Sequence, residues 1–236
     1  MRGWRKGLWV VSGMVPFLGL LSRPPGTALL IYSCFVLAAI FRRRLIAAAS
    51  ALQVPATLQL FGCFLLSGVL TETFAWLNNY LKSAEHPAVF HPQLLVDLLI
   101  GVGFYGGWAA AWMLVFRWFR FELWETFVIT GLQGIFFEQL GAVFVAMVRS
   151  LPTNPLLSLL MGAYVFAVHG SAVGLAMVPI LPRFEKADLS RHWVRFPIVI
   201  GLMVAFAFIG CWLIGVLALS FGGLPPKRSI VEHPLW

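Results

Sequence analysis

Charge is scarce in this sequence. Of 236 residues only 11% are Asp, Glu, Lys or Arg, and nine of those are acidic. Soluble domains carry about 25%. With 60% hydrophobic residues, the chain cannot cover itself with polar surface, which excludes a soluble globular class and makes lipid its solvent. Cysteine is equally sparse. Cys34, Cys63 and Cys211 each stand inside an apolar run, and no CxxC pair occurs. A disulfide framework and a zinc knuckle are therefore excluded. The spacings HxxxH and HExxH are absent as well. A metal centre would need Glu72, His91, Asp97, Glu138 and His169 to converge from separate segments. There is no nucleophile-elbow signature for a serine hydrolase. Tandem repeats, low-complexity tracts and linkers are also missing, so residues 1–236 are expected to form a single transmembrane helical domain.

What is present is apolar and aromatic. Aromatic residues make up 15%, with 21 Phe and 10 Trp, as suits a lipid-facing surface with interfacial rings. Seven apolar runs stand out: residues 7–21, 27–41, 56–76, 94–116, 126–148, 155–181 and 196–221. They predict an all-α polytopic bundle of about seven transmembrane helices. The first two runs are short against the roughly 20 residues a span requires. If that pair is re-entrant or interfacial, six or five spans remain. The first run follows Arg2, Arg5 and Lys6 in the manner of a signal peptide, but no small-x-small cleavage site follows it. It reads as a retained first span or signal anchor.

The net charge of +8 does not indicate nucleic acid, because the basic residues sit in short clusters between apolar runs. With the N-terminus in the cytoplasm, twelve of the seventeen basic residues fall on the cytoplasmic side. They are Arg2, Arg5, Lys6, Arg42, Arg43, Arg44, Arg117, Arg120, Arg183, Lys186, Arg191 and Arg195. Arg23, Lys82, Arg149, Lys227 and Arg228 fall on the other. This asymmetry predicts a multi-pass protein of the cytoplasmic membrane with its N-terminus inside and C-terminus outside. Seven spans and five give the same polarity. The implied partners are membrane lipids, and anionic headgroups suit the basic clusters.

Ionisable groups within apolar spans are costly, about 2.5–3.5 kcal/mol at a helix centre, and so make the functional candidates. Glu138 stands near the middle of its run on a stripe of small residues, Gly131, Gly134 and Gly141. His169 stands near the middle of the next run, sharing a face with Gly162, Ala172 and Ala176, while Gly170 and Gly174 form a small-xxx-small pair beside it. These two are expected to face each other as catalytic groups. Glu72 and Asn79 share a face near one end of the third run, with Gly68 one turn before Glu72. Asp97 stands in the first two turns of the fourth run, and Tyr105 continues its face. Glu72, Asn79, Asp97 and Tyr105 are candidate substrate- or ion-binding residues. Each also has an ordinary alternative. Glu72 and Asn79 suit a helix end meeting water, and Asp97 suits a helix N-terminus. Glu138 and His169 also suit hydrogen bonding between helices. The GxGxxG match at Gly101, Gly103 and Gly106 lies within an apolar helix with no preceding strand, so a dinucleotide site is discarded. Gly103 and Gly107 are expected to permit close helix packing.

Phe137-Glu138-Gln139 and Phe166-Ala167-Val168-His169 resemble the glutamate and histidine helices of membrane-embedded prenyl-endopeptidase-like proteases. The resemblance covers two spans. The paired Glu-Glu, and a second His with a downstream Asn or Asp, are absent. It implies intramembrane hydrolysis of a lipid or peptide, with Glu138 as base toward water. Two other classes stay open. His169 is a candidate axial ligand for a haem or pigment, which would make the protein a cofactor-binding or assembly subunit among other membrane subunits. Glu138 and Asp97 are candidate proton or ion sites of a transporter. The sequence names no cofactor.

Overall fold

The computed structural model describes residues 13–21, 23–184 and 193–236. Residues 7–12 of the first apolar run lie outside them, as do Arg2, Arg5, Lys6, Lys186 and Arg191 of the charge argument. The described residues are helical with no strand. The helices are α1 (Thr27–Ile40), α2 (Arg42–Ala51), α3 (Ala56–Leu81), α4 (Leu94–Val115), α5 (Leu123–Phe137), α6 (Ala142–Ser150), α7 (Pro155–Met177) and α8 (Arg195–Ser220).

Five elements are long and apolar enough to cross a membrane: α3, α4, α7, α8 and the stretch Leu123–Ser150. Five matches the lowest of the expected counts, and about seven is not confirmed among the described residues. Helix α1 has 14 residues and reaches about 21 Å at 1.5 Å per residue, short of a hydrocarbon core of about 30 Å. The arginine cluster after it, expected as a connecting segment, is itself helical as α2.

Local chemistry fixes several boundaries. Glu122 and Glu125 form a reciprocal capping box at the start of α5, satisfying backbone donors that the first turn leaves free. Asn154 accepts the Leu157 N–H at 3.1 Å, and Pro155 occupies the first turn of α7, where its missing N–H costs nothing.

The chain divides into two compact units, residues 1–48 with 121–181, and residues 49–120 with 182–236. In the first unit the core gathers Tyr32, Phe35, Ala38, Phe127 and Val178. Phe35 stacks on Phe127 at 5.3 Å. A Cβ on Gly174 would stand 2.7 Å from the Phe35 ring, and one on Gly170 would stand 2.8 Å from the Phe127 carbonyl. The small-xxx-small pair thus marks the crossings of α7 with α1 and α5.

In the second unit α4 packs on α3 and α8. Gly103 and Gly210 put α4 and α8 in backbone contact, since a Cβ on Gly103 would stand 2.5 Å from the Gly210 carbonyl oxygen. Gly107 meets the Phe206 backbone in the same way. This is the close packing expected of Gly103 and Gly107. A Cβ on Gly201 or Gly215 would meet nothing within 4 Å, so of the three glycines within α8 only Gly210 serves a crossing among the described residues. Arg195 donates to the Arg120 carbonyl, and Phe116 stacks on Phe184 at 4.7 Å.

Candidate functional site

In the first unit, α5 stops at Phe137 instead of running through to Ser150. The Glu138 N–H still bonds the Gly134 carbonyl, and then the backbone turns left-handed. Gln139 has φ 49°, Leu140 φ 58° and Gly141 φ 87°. Only Gly141 adopts this region without a Cβ clash. The other two cost roughly 1–2 kcal/mol each. The helix resumes as α6 at Ala142. The expected continuous span is therefore corrected to two half-helices joined at Glu138–Gly141. A hydropathy average over the run does not register the break, because no proline marks it and its two polar residues, Glu138 and Gln139, are outweighed by the apolar residues around them. The visible signal is Gly141, which the sequence places on a packing stripe and the structure uses as a left-handed hinge.

The break aims Glu138 sideways at α7. His169 Nε2 stands 3.0 Å from Glu138 Oε2. His169 Nδ1 lies 3.1 Å from the Val165 carbonyl oxygen, which accepts only from an N–H. That contact fixes the tautomer with a proton on Nδ1. Nε2 and Oε2 then share one further proton, written equally as imidazolium–carboxylate or imidazole–carboxylic acid. Either way the pair is neutral overall. The His169 side chain is 13% exposed and that of Glu138 35%, so the carboxylate is the open end of the pair.

Gly134 makes the approach possible, since a Cβ there would stand 2.5 Å from His169 Cγ. Gly131 stands in the same relation to the Phe166 ring. The stripe of small residues is thus the surface on which α7 lays Phe166 and His169. Gln133 is buried on the same helix, and its Oε1 has no hydrogen-bond partner among the described residues.

The second unit holds the other candidates and pairs two of them. The Tyr105 hydroxyl donates to Glu72 Oε1 at 2.8 Å, and both side chains are buried. Gly68 leaves room for this, because a Cβ there would overlap the Tyr105 ring. Asp97 is fully buried. Its Oδ1 accepts the His91 N–H at 2.9 Å, while Oδ2 has no hydrogen-bond partner. Asn79 is engaged elsewhere. It donates to the Ala75 carbonyl at 2.8 Å and accepts the Ala88 N–H at 3.1 Å, tying the following loop to α3.

Two features here were not singled out as site elements from sequence, Gln93 and the C-terminal segment, and His91 entered only as one of five residues a metal centre would need. Gln93 Nε2 donates to the carbonyls of Arg228 and His233, at 3.2 and 2.9 Å. The first N–H groups of α4, those of Leu94 and Leu95, bond Pro234 and Leu235 carbonyls at 3.0 and 3.2 Å. His91 Nδ1 accepts the Gln93 N–H at 3.3 Å, and Nε2 donates to the Pro225 carbonyl at 3.2 Å. Burial pushes the His91 pKa below its ordinary value, the Pro225 carbonyl works against this, and the Lys227 charge adds to it. Polar residues flanking a proline read from sequence as loop. Nothing local announces that a segment more than 130 residues later caps them.

Among the described residues, no three His, Cys, Asp or Glu side chains come together as a metal site. No protein-family model, no curated protein and no solved structure matches the chain.

Proposed function

We propose that Glu138 and His169 form an acid–base centre within the membrane, and that the protein hydrolyses a lipid or peptide bond there. The observation that carries this reading is the break at Glu138–Gly141. A left-handed stretch leaves helix-terminal N–H and C=O groups without intrahelical partners. Such backbone is tolerated at membrane depth only where it is buried in protein or lines a wet cavity. Glu138 at this break is one-third exposed, so the carboxylate is not sealed inside the protein.

Starting from the imidazolium–carboxylate form, Glu138 takes a proton from water as the hydroxide adds to a substrate carbonyl. The pair then carries one positive charge beside the negative oxyanion. Collapse of the tetrahedral intermediate returns the proton from Glu138 to the leaving alcohol or amine. Water and an ester or amide become an acid and an alcohol or amine, and the carboxylate is restored. His169 keeps its Nδ1 proton on Val165 throughout and holds Glu138 in place through Nε2.

The helix break favours one second reading, proton-coupled transport, in which discontinuous helices place their ends at a midplane site. The haem or pigment alternative draws no support, because both ring nitrogens of His169 are already engaged. Residence in the cytoplasmic membrane with the N-terminus inside remains part of the proposal, carried by the basic-residue asymmetry.

The test uses the full chain in liposomes, wild type beside Glu138→Gln, against fluorogenic lipid esters and membrane-spanning peptides. Hydrolysis by the wild type and its loss in the variant is the expected result. Inactivity of the wild type on both panels, with a Glu138-dependent proton flux read by an entrapped pH dye, would transfer the site to the transport reading.

A further inference from the structure

Asp97 is a buried carboxyl group with no cation beside it among the described residues. The groups that face it come from three elements. From α3 comes Glu72, whose Cγ lies against Gly101, one turn along α4 from Asp97, and which holds the Tyr105 hydroxyl. From the preceding loop come the His91 N–H on Oδ1 and, next to it, the Phe90 backbone. The C-terminal segment brings Lys227 to His91 and meets Gln93 through the backbone carbonyls of Arg228 and His233. The imidazole of His91 is turned to Pro225 and Gln93. Asp97 forms no ion pair among the described residues, and Oδ2 has no partner.

A fully buried carboxylate persists only if something neutralises it. The backbone N–H groups of His91 and Phe90 bond the carboxyl group, which eases the charge without balancing it. With no basic side chain beside it among the described residues, the charge is either removed by a bound proton or balanced by a bound metal cation. A divalent ion demands six or more oxygen ligands, and no cluster of three candidate ligands exists among the described residues. A small monovalent ion needs fewer charged ligands, and backbone carbonyls and water can complete its shell.

We infer that Asp97 binds a small monovalent cation, a proton or an alkali ion, in a site completed by Glu72 and Tyr105 and covered by the C-terminal segment. Gly101 has no side chain to separate the two carboxyl groups. The cover is the set of bonds from Gln93, Leu94 and Leu95 to Arg228, His233, Pro234 and Leu235. The inference is independent of the Glu138–His169 reading.

The test is carbodiimide labelling of the purified full chain, read by mass spectrometry of the Asp97 peptide, with Asp97→Asn as the blank. Lipid-soluble dicyclohexylcarbodiimide adds only to a protonated carboxyl. Labelling is measured from mildly acidic to mildly alkaline pH, in sodium and in N-methylglucamine at equal ionic strength. Labelling that falls as pH rises, without a sodium effect, identifies the proton as the ligand. Labelling slowed several-fold by sodium identifies an alkali ion. Asp97 unlabelled in both salts, in the wild type and in Gln93→Ala alike, overturns the site. A water-soluble carbodiimide is expected to label Gln93→Ala several-fold faster than the wild type. Equal rates overturn the cover.

Discussion

At the scale of single residues, the central arrangement depends on two atoms of His169 and one missing methyl group. Glu138→Gln keeps the size and one hydrogen-bonding oxygen but removes the titratable proton. It is expected to lower the proposed hydrolytic rate by about 10²-fold or more, the usual worth of general acid–base catalysis, while the protein still inserts and purifies. Near-normal rates in reconstituted vesicles would reduce Glu138 to a structural hydrogen bond. Gly134 is tested by its methyl. Gly134→Ala drives a Cβ into the His169 ring, an overpacking that costs about 1–3 kcal/mol. The melting temperature should fall and the Glu138-dependent rate should fall with it. An unchanged melting temperature would mean that α7 does not approach α5 as described. His91 supplies the pH dependence. Its pKa is lowered when the C-terminal segment is docked, so the undocked state binds protons more readily. Docking is complete above the ordinary value near 6.5 and weakens as pH falls below it toward the docked value. The protection of the Leu94 and Leu95 amides, their exchange rate measured against the intrinsic base-catalysed rate at the same pH, should therefore fall on mild acidification. His91→Gln should flatten that response.

At the scale of elements, the broken helix is the feature that composition hides. The apolar runs give four of the five span-length elements nearly as the structure has them, because burial in lipid demands continuous apolar length and little else. The fifth has the right ends and a wrong middle. Two non-glycine residues, Gln139 and Leu140, hold left-handed conformations that their side chains disfavour, so propensity argued against the break. Gln139 is exposed, and Gln139→Gly removes its steric penalty without emptying a core. A gain of roughly 1 kcal/mol in stability is expected. A loss would show that residue 139 is helical in solution. The crossing of α4 and α8 was legible from Gly103 and Gly107, whose spacing puts them on one face. That Gly210 is the partner was not, since sequence spacing within α8 does not distinguish Gly201, Gly210 and Gly215. Gly210→Leu should destabilise the second unit severely, whereas Gly215→Leu should be near neutral, as circular dichroism melts in detergent would show.

At the scale of the whole molecule, four span-length helices and one broken stretch of span length make a membrane protein, and the proposed chemistry rests on a handful of polar side chains. The pairing of Glu138 with His169 was legible because a short loop makes their helices neighbours and each stands amid small residues. Which atom meets which was not, because the break sets the direction of Glu138. The C-terminal segment escaped the sequence reading for a different reason. Its bonds to Gln93, Leu94 and Leu95 are made by backbone carbonyls, which carry no residue-type signature. The central claim is that one proton is shared between Glu138 and His169 while Nδ1 stays bound to Val165. Nitrogen-15 solid-state NMR of histidine-labelled protein in bilayers tests it most directly, with His169 assigned by loss of its signals in His169→Asn. The account predicts a protonated Nδ1 that is the same in wild type and Glu138→Gln, and an Nε2 resonance that shifts strongly in the variant. An Nε2 resonance unchanged by Glu138→Gln would contradict it.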